Sequence, residues 1–119
     1  MAIRDFLTRK IEDFMKALTT LVHYKNSLQW EKALDFIQEN RDEALWQAML
    51  NGHALKDKDQ RDTVEFQLKL AVHEMEIIKM TNSLRSKRFE ETQKLLNDFL
   101  LANPDTYYME LEEMKLKLV

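Results

Sequence analysis

Three histidines, His23, His53 and His73, are the side chains best suited to acid–base or metal chemistry. A helical di-metal site needs a duplicated Glu-x-x-His motif. The residues three places before these histidines are Thr20, Leu50 and Leu70, so no copy exists. His73-Glu74-Met75-Glu76 has no second histidine to complete a zinc-protease helix. Asp57 and Asp59 begin like a calcium loop, but Arg61, Asp62 and Leu68 occupy the places of the third ligand, the turn glycine and the closing glutamate. Ser27, Ser83 and Ser86 fall near turns, outside any nucleophile motif. With no Cys there is no disulfide, zinc-thiolate site or thiol nucleophile. With one Gly there is no phosphate-cradling loop, dinucleotide fingerprint or nucleophile elbow. The expectation is no catalytic, cofactor-binding or metal-ligating residue, and no enzyme.

Charge narrows the partners. Eighteen Lys and Arg stand against 21 Asp and Glu, a formal net charge of −3. Arg85-Ser86-Lys87-Arg88 is the main basic cluster, and no aromatics are interleaved with it for base stacking. It reads as a solvated turn between helices, and nucleic acid is not expected as a partner. No apolar run approaches the roughly 18 residues of a membrane span. The first residues carry mixed charge with no apolar signal segment. The expected location is the cytoplasm.

The elements follow from periodicity. The 119 residues hold one Gly and one Pro, where average usage gives about eight and six. That favours a few long helices over a sheet rich in turns. In segment 3–25, Ile3, Leu7, Ile11, Phe14, Leu18 and Leu21 recur at steps of three and four, with Phe6, Met15 and Val22 widening the stripe. This predicts a helix whose stripe packs into a core. Segment 29–50 carries apolar residues on both sides of the polar run Gln38–Glu43, which fits one long helix with a polar middle or, in preference, two helices with a break or kink near Asn40. Asn51-Gly52 is a helix stop, and 51–61 reads as a loop. Asp62-Thr63-Val64-Glu65 resembles a capping box opening the next helix. Segment 63–85 alternates at Val64, Phe66, Leu68, Leu70 and Val72, a strand signal. Its length and its Gln67, Lys69 and Ala71 favour a helix buried on two sides. A helix over 88–102 follows. Asn103 is expected to cap a last helix over 104–118, with Pro104 in its first turn. The fold class is therefore all-α, with five or six helices packed as antiparallel hairpins, tetratricopeptide-like or an irregular bundle. One domain covers 1–119, with the 51–61 loop separating two hairpin halves.

Phe89, the Glu90-Glu91 pair, the Leu95-Leu96 pair and Asn103-Pro104-Asp105 form the clearest pattern in the chain. It has an echo 59 positions upstream, where Trp30, Glu31, Ala33, Phe36 and Ile37 match Phe89, Glu90, Thr92, Leu95 and Leu96. The pattern resembles the second helix of a tetratricopeptide repeat. Ile77, Met80 and Leu84 take the large apolar places of the first helix if the connecting turn is one residue shorter. Thr92 and Phe99 stand where that family prefers Ala, no Pro follows the echo, and the usual period is 34 residues. The start of the chain, with Arg4-Asp5-Phe6 and Ile11-Glu12, also resembles small Gram-positive bacterial proteins. The repeat resemblance implies a binding surface lined by the first helix of each hairpin, and so by Lys16, Thr19, His23, Asn26, Ile78, Asn82 and Arg85. The expected function is a non-enzymatic protein–protein interaction or scaffold module with a protein or peptide partner. The alternative is a self-associating helical protein, a homodimer in the simplest case. Trp30, Trp46, Tyr107 and Tyr108 are expected to offer it excess apolar surface. A small helical-bundle enzyme is the least favoured reading.

Overall fold

A computed structural model describes residues 2–81 and 87–117, with side chains from 9 to 81 and from 87 to 116. The protein is all-α: it is 82% helical, and the described residues form six helices and no strand. These are α1 (Ala2–Asn26), α2 (Trp30–Asn40), α3 (Glu43–Leu50), α4 (Arg61–Met80), α5 (Lys87–Ala102) and α6 (Met109–Lys117), with a 3₁₀ turn at Lys58–Gln60. No described helix is long and apolar enough to cross a membrane. Two compact units divide the chain, Met1–Asn40 and Arg41–Val119. The boundary coincides with the break expected near Asn40, and the 51–61 loop lies inside the second unit.

The first unit is the α1–α2 pair, whose helices pack on one another. Leu21, Ala33 and Ile37 are buried, and Tyr24 meets Phe36 edge-on at 6.0 Å. Gln29 N donates to Tyr24 O and Leu28 N to Lys25 O, which is the bond pattern that ends a helix on a left-handed residue. That residue is Leu28, at φ 57° and 70% exposed. Helix α3 ends the same way: His53 N donates to Ala48 O and Gly52 N to Met49 O, with Gly52 at φ 83°. The Asn51-Gly52 stop is where the sequence puts it. The Leu28 stop carries no Gly and has no such signal.

In the second unit α5 and α6 pack on α4 and on each other, and α3 packs on α5, burying Trp46, Met49, Leu68, Val72, Met75, Phe89, Leu95, Leu96, Phe99 and Leu111. Helix α4 buries nine residues from Val64 to Ile77, including all of the alternating set. Burial over more than one stripe explains why its apolar positions mimic a strand.

Two expected helix starts are wrong. The Asp62–Glu65 capping box does not open α4: the helix starts at Arg61, and its cap residue Gln60 makes no side-chain cap bond. Local caps stand instead at Asp42, which accepts from Leu45 N at 3.0 Å, and at Asp57, which accepts from Asp59 N. Asn103 does not cap α6, which begins only at Met109. It is 1% exposed, donates from Nδ2 to Leu55 O and Phe99 O, both at 2.9 Å, and accepts from Arg61 Nε at 2.8 Å. Arg61 also holds Asp105 and Thr106. The Asn103–Asp105 turn thus fastens the 51–57 loop and the start of α4 to the end of α5. A buried amide has to satisfy its donors wherever partners exist, and here they are tertiary.

The left-handed stops predict opposite substitution effects. An L side chain there costs roughly 1–2 kcal/mol, so Leu28→Gly raises unfolding stability and Gly52→Ala lowers it, each by about 1 kcal/mol. No atom lies within 4 Å of a Cβ added at Gly52, so the second effect is conformational. Urea unfolding of both variants checks the pair.

Between α4 and α6, Lys69 Nζ meets Glu110 at 2.8 Å and Glu65 at 3.1 Å. Burial pulls the Lys69 ammonium down, but its bonds to Glu110 and Glu65 outweigh this and leave it above the ordinary lysine range. The Lys69 hydrogen bond holds the Glu110 carboxyl below its ordinary range. Glu110 therefore contributes above its unfolded pKa, and that contribution fades as pH falls through the lowered folded value. The Lys69 contribution is complete below its unfolded pKa and fades as pH rises through the raised one. Glu110→Gln is expected to cost under about 1 kcal/mol, given its exposed carboxylate. The loss should appear between roughly pH 5 and 10 and vanish in acid; denaturant titrations across pH read it.

Candidate functional site

Helix α1 is the element that leaves the most side-chain chemistry uncovered. At 100° per residue, Ile11, Met15 and Val22 fall within about 40° of arc, and Asn26, Thr19, His23 and Lys16 fill about the next 80°. All seven are exposed. Met15 is 64% exposed, while Ile11 and Val22 stand at 41% and 39%. Leu18 is half-buried beside this apolar row, and fully buried Leu21 lies farther round on the packed side. Core packing of the whole α1 stripe was the expectation; it fails at Ile11, Met15 and Val22. The reason is direction: at 100° per residue these three lie about 80–120° round the helix from buried Leu21.

Hydrogen bonding within the helix orients the polar row. Thr19 Oγ1 donates to Met15 O at 2.9 Å, and Thr20 Oγ1 to Lys16 O at 3.0 Å. The hydroxyl protons go to the helix's own carbonyls, which leaves oxygen lone pairs outward as acceptors. The His23 ring is tilted against Tyr24 with centroids 6.1 Å apart. An open groove beside the turn is lined by Leu28, Gln29, Trp30, Glu31 and Lys32.

The structure therefore brings Lys16, Thr19, His23 and Asn26 onto one exposed face. Ile78 belongs to the second unit, half-buried on α4 against that unit's core. Asn82 and Arg85 lie outside the described residues. The apolar row beside the polar one was missed. Its signal was present in the width of the α1 stripe, which Met15 and Val22 carry beyond one packed face.

The densest charged cluster of the second unit has a different character. Arg88 lies over the Trp46 ring at 4.0 Å, its Nη1 donates to Glu43 at 2.8 Å, and its Nε, which makes no hydrogen bond, stands 3.7 Å from Glu74. Arg41 pairs with Glu74 and approaches Glu43 at 3.5 Å. Trp46 Nε1 donates to Glu91 at 3.0 Å. Burial, then the neighbouring Arg41 charge, lowers the Arg88 pKa. Arg88 was expected in a solvated turn and Trp46 as excess surface; both are packed, with Trp46 wholly buried. These carboxylates are engaged by guanidinium and indole donors, so the cluster ties helices together. Tyr107, by contrast, is 77% exposed. Among the described residues no group of three or more His, Asp or Glu is placed to hold a metal ion.

No family model, no curated protein and no solved structure matches the chain.

Met15→Ser is expected to change stability by less than about 0.5 kcal/mol, as surface substitutions do. Leu21→Ala should cost about 2–5 kcal/mol, as buried truncations do. Denaturant unfolding of the two variants separates the uncovered row from the packed one.

Proposed function

We propose that this chain is a non-enzymatic helical interaction module that meets its partner through the exposed face of α1. One observation carries the reading. A row of uncovered apolar side chains, Ile11, Met15 and Val22, runs beside a polar row, Lys16, Thr19, His23 and Asn26, on the longest helix of the chain. Apolar contact supplies affinity and a polar margin supplies register, the usual composition of a recognition surface. The partner is a protein or peptide. A cysteine-free composition suits action in the cytoplasm.

A tetratricopeptide-like ancestry for α4 and α5 belongs to the same proposal. In its support, Phe89, Leu95 and Leu96 are buried on α5, which packs against α4. The buried side chains at Thr92 and Phe99, where that family prefers Ala, argue for a modified helix approach.

The test immobilises the full chain and its Met15→Glu variant and compares what each captures from a lysate of the native host. Wild type is expected to retain a protein that the variant loses, with identical far-ultraviolet circular dichroism. The same proteins on both resins would overturn the assignment of this face.

A further inference from the structure

We propose that Asn51 is a modification site: it loses its side-chain amide spontaneously through a cyclic imide with Gly52, and the end of α3 sets the rate. Asparagine is a thermolabile residue, because its Cγ carbonyl can close a small ring with the backbone nitrogen of the next residue. Gly obstructs that nitrogen least, since it carries no Cβ. The chain has one Gly, so Asn51-Gly52 is its single pair of this kind. Asn51, Gly52 and His53 are exposed, and no atom lies within 4 Å of a Cβ added at Gly52. Water therefore reaches the pair. In the reaction Gly52 N gives its proton to water and attacks Asn51 Cγ. The Cγ–Nδ2 bond breaks, ammonia leaves and the imide remains. Water then opens the ring. Cleavage of the new bond to Cγ gives aspartate, and cleavage of the original peptide bond gives isoaspartate, with the main chain routed through the side chain. One ammonia leaves, one water enters, and nothing is oxidised or reduced.

The fold controls the step. Ring closure requires Gly52 N to turn towards Asn51 Cβ. At φ −83° and ψ 7° on Asn51 it is turned towards Asn51 N instead, and its N–H is engaged by Met49 O at 3.0 Å. His53 N donates to Ala48 O at 2.8 Å and closes the same stop. The closed stop is unreactive, so the reaction runs through the fraction of molecules in which this turn is open. Two features favour opening. Helix α3 has only eight residues, and Ala54 holds a left-handed φ of 68° without being Gly, a strain that opening releases. The products hinder reclosure. Either one puts a negative charge at the C-terminus of α3, where the helix dipole opposes it. Isoaspartate also lengthens the main chain inside the turn, which takes Gly52 N and His53 N out of register with Met49 O and Ala48 O.

The test incubates the full chain at mildly alkaline pH, in buffer and in denaturing guanidinium chloride. Chromatography and mass spectrometry follow the tryptic peptide Asp42–Lys56, in which Asn51 is the only asparagine. Aspartate and isoaspartate forms should both appear, roughly tenfold or more slowly in buffer than in denaturant. Asn51→Gln should remove both. The isoaspartate chain, separated by ion exchange, should unfold at a lower denaturant concentration than the unmodified chain. In buffer, conversion of Asn26, which precedes Ser27, ahead of Asn51 overturns the site, as does an Asn51 that never converts. Equal rates in buffer and denaturant overturn control by the stop. Equal unfolding midpoints overturn the effect on α3.

Discussion

Burial of the Glu74 carboxylate is the constraint that organises the second unit. Its side chain is 12% exposed on α4, with the Arg41 and Arg88 guanidinium groups, 18% and 16% exposed, on either side. A buried carboxylate without a cation costs several kcal/mol, and here Arg41 pairs with Glu74 while Arg88 stands 3.7 Å from it. Arg88 arrives from α5 with one face on the Trp46 ring and one edge on Glu43, so α3 is placed in the same act. Apolar side chains alone would tolerate several ways of laying three helices together. The charges select one. Trp46 is wholly buried in the core, with Arg88 over its ring face and its N–H donating to Glu91.

A second polar fastening works at the other end of the same unit. Asn103 and Arg61 gather the loop carbonyl of Leu55, the end of α5 and the turn before α6. The two clusters share a logic: a long donor-bearing side chain reaches between elements that are remote in sequence. Each leaves the surface around it with its polar groups engaged. The first unit shows apolar contact between its helices. It is held by Leu21, Ala33, Ile37 and the Tyr24–Phe36 ring contact.

This division governs what was legible in the sequence. The number of helices, the preferred break near Asn40, the Gly52 stop and the helical state of α4 were readable because periodicity, helix stops and length are local properties. Asn103 was misread because Asn-Pro is a sound N-cap signal locally, while the side chain's donors were claimed by Leu55 and Phe99. Arg88 was misread because a basic run beside a turn says nothing of an indole 42 positions away. Leu28 was invisible because its left-handed stop lacks the usual Gly. Lys16, Thr19, His23 and Asn26, grouped through the repeat resemblance, fall on one exposed face of α1 because steps of three and four set side chains side by side on any helix. Ile11, Met15 and Val22 were assigned to the core because the three- and four-residue spacing that marks a packed face is identical whether the cover is intramolecular or not.

That ambiguity is resolved by geometry rather than by composition. The α1 apolar positions spread over about 120° from Leu21 to Met15, and Leu21 alone of Ile11, Met15, Leu18, Leu21 and Val22 is fully buried. Exposure at Ile11, Met15 and Val22 shows where cover is missing. The uncovered set is also ordered. Random surface apolar residues fall singly and need no explanation, whereas Ile11, Met15 and Val22 sit within about 40° of one arc. Exposed apolar surface carries a free-energy cost in water that burial removes. The α1 stripe is thus wider than the side of the helix that is buried at Leu21, and its outer edge stays exposed.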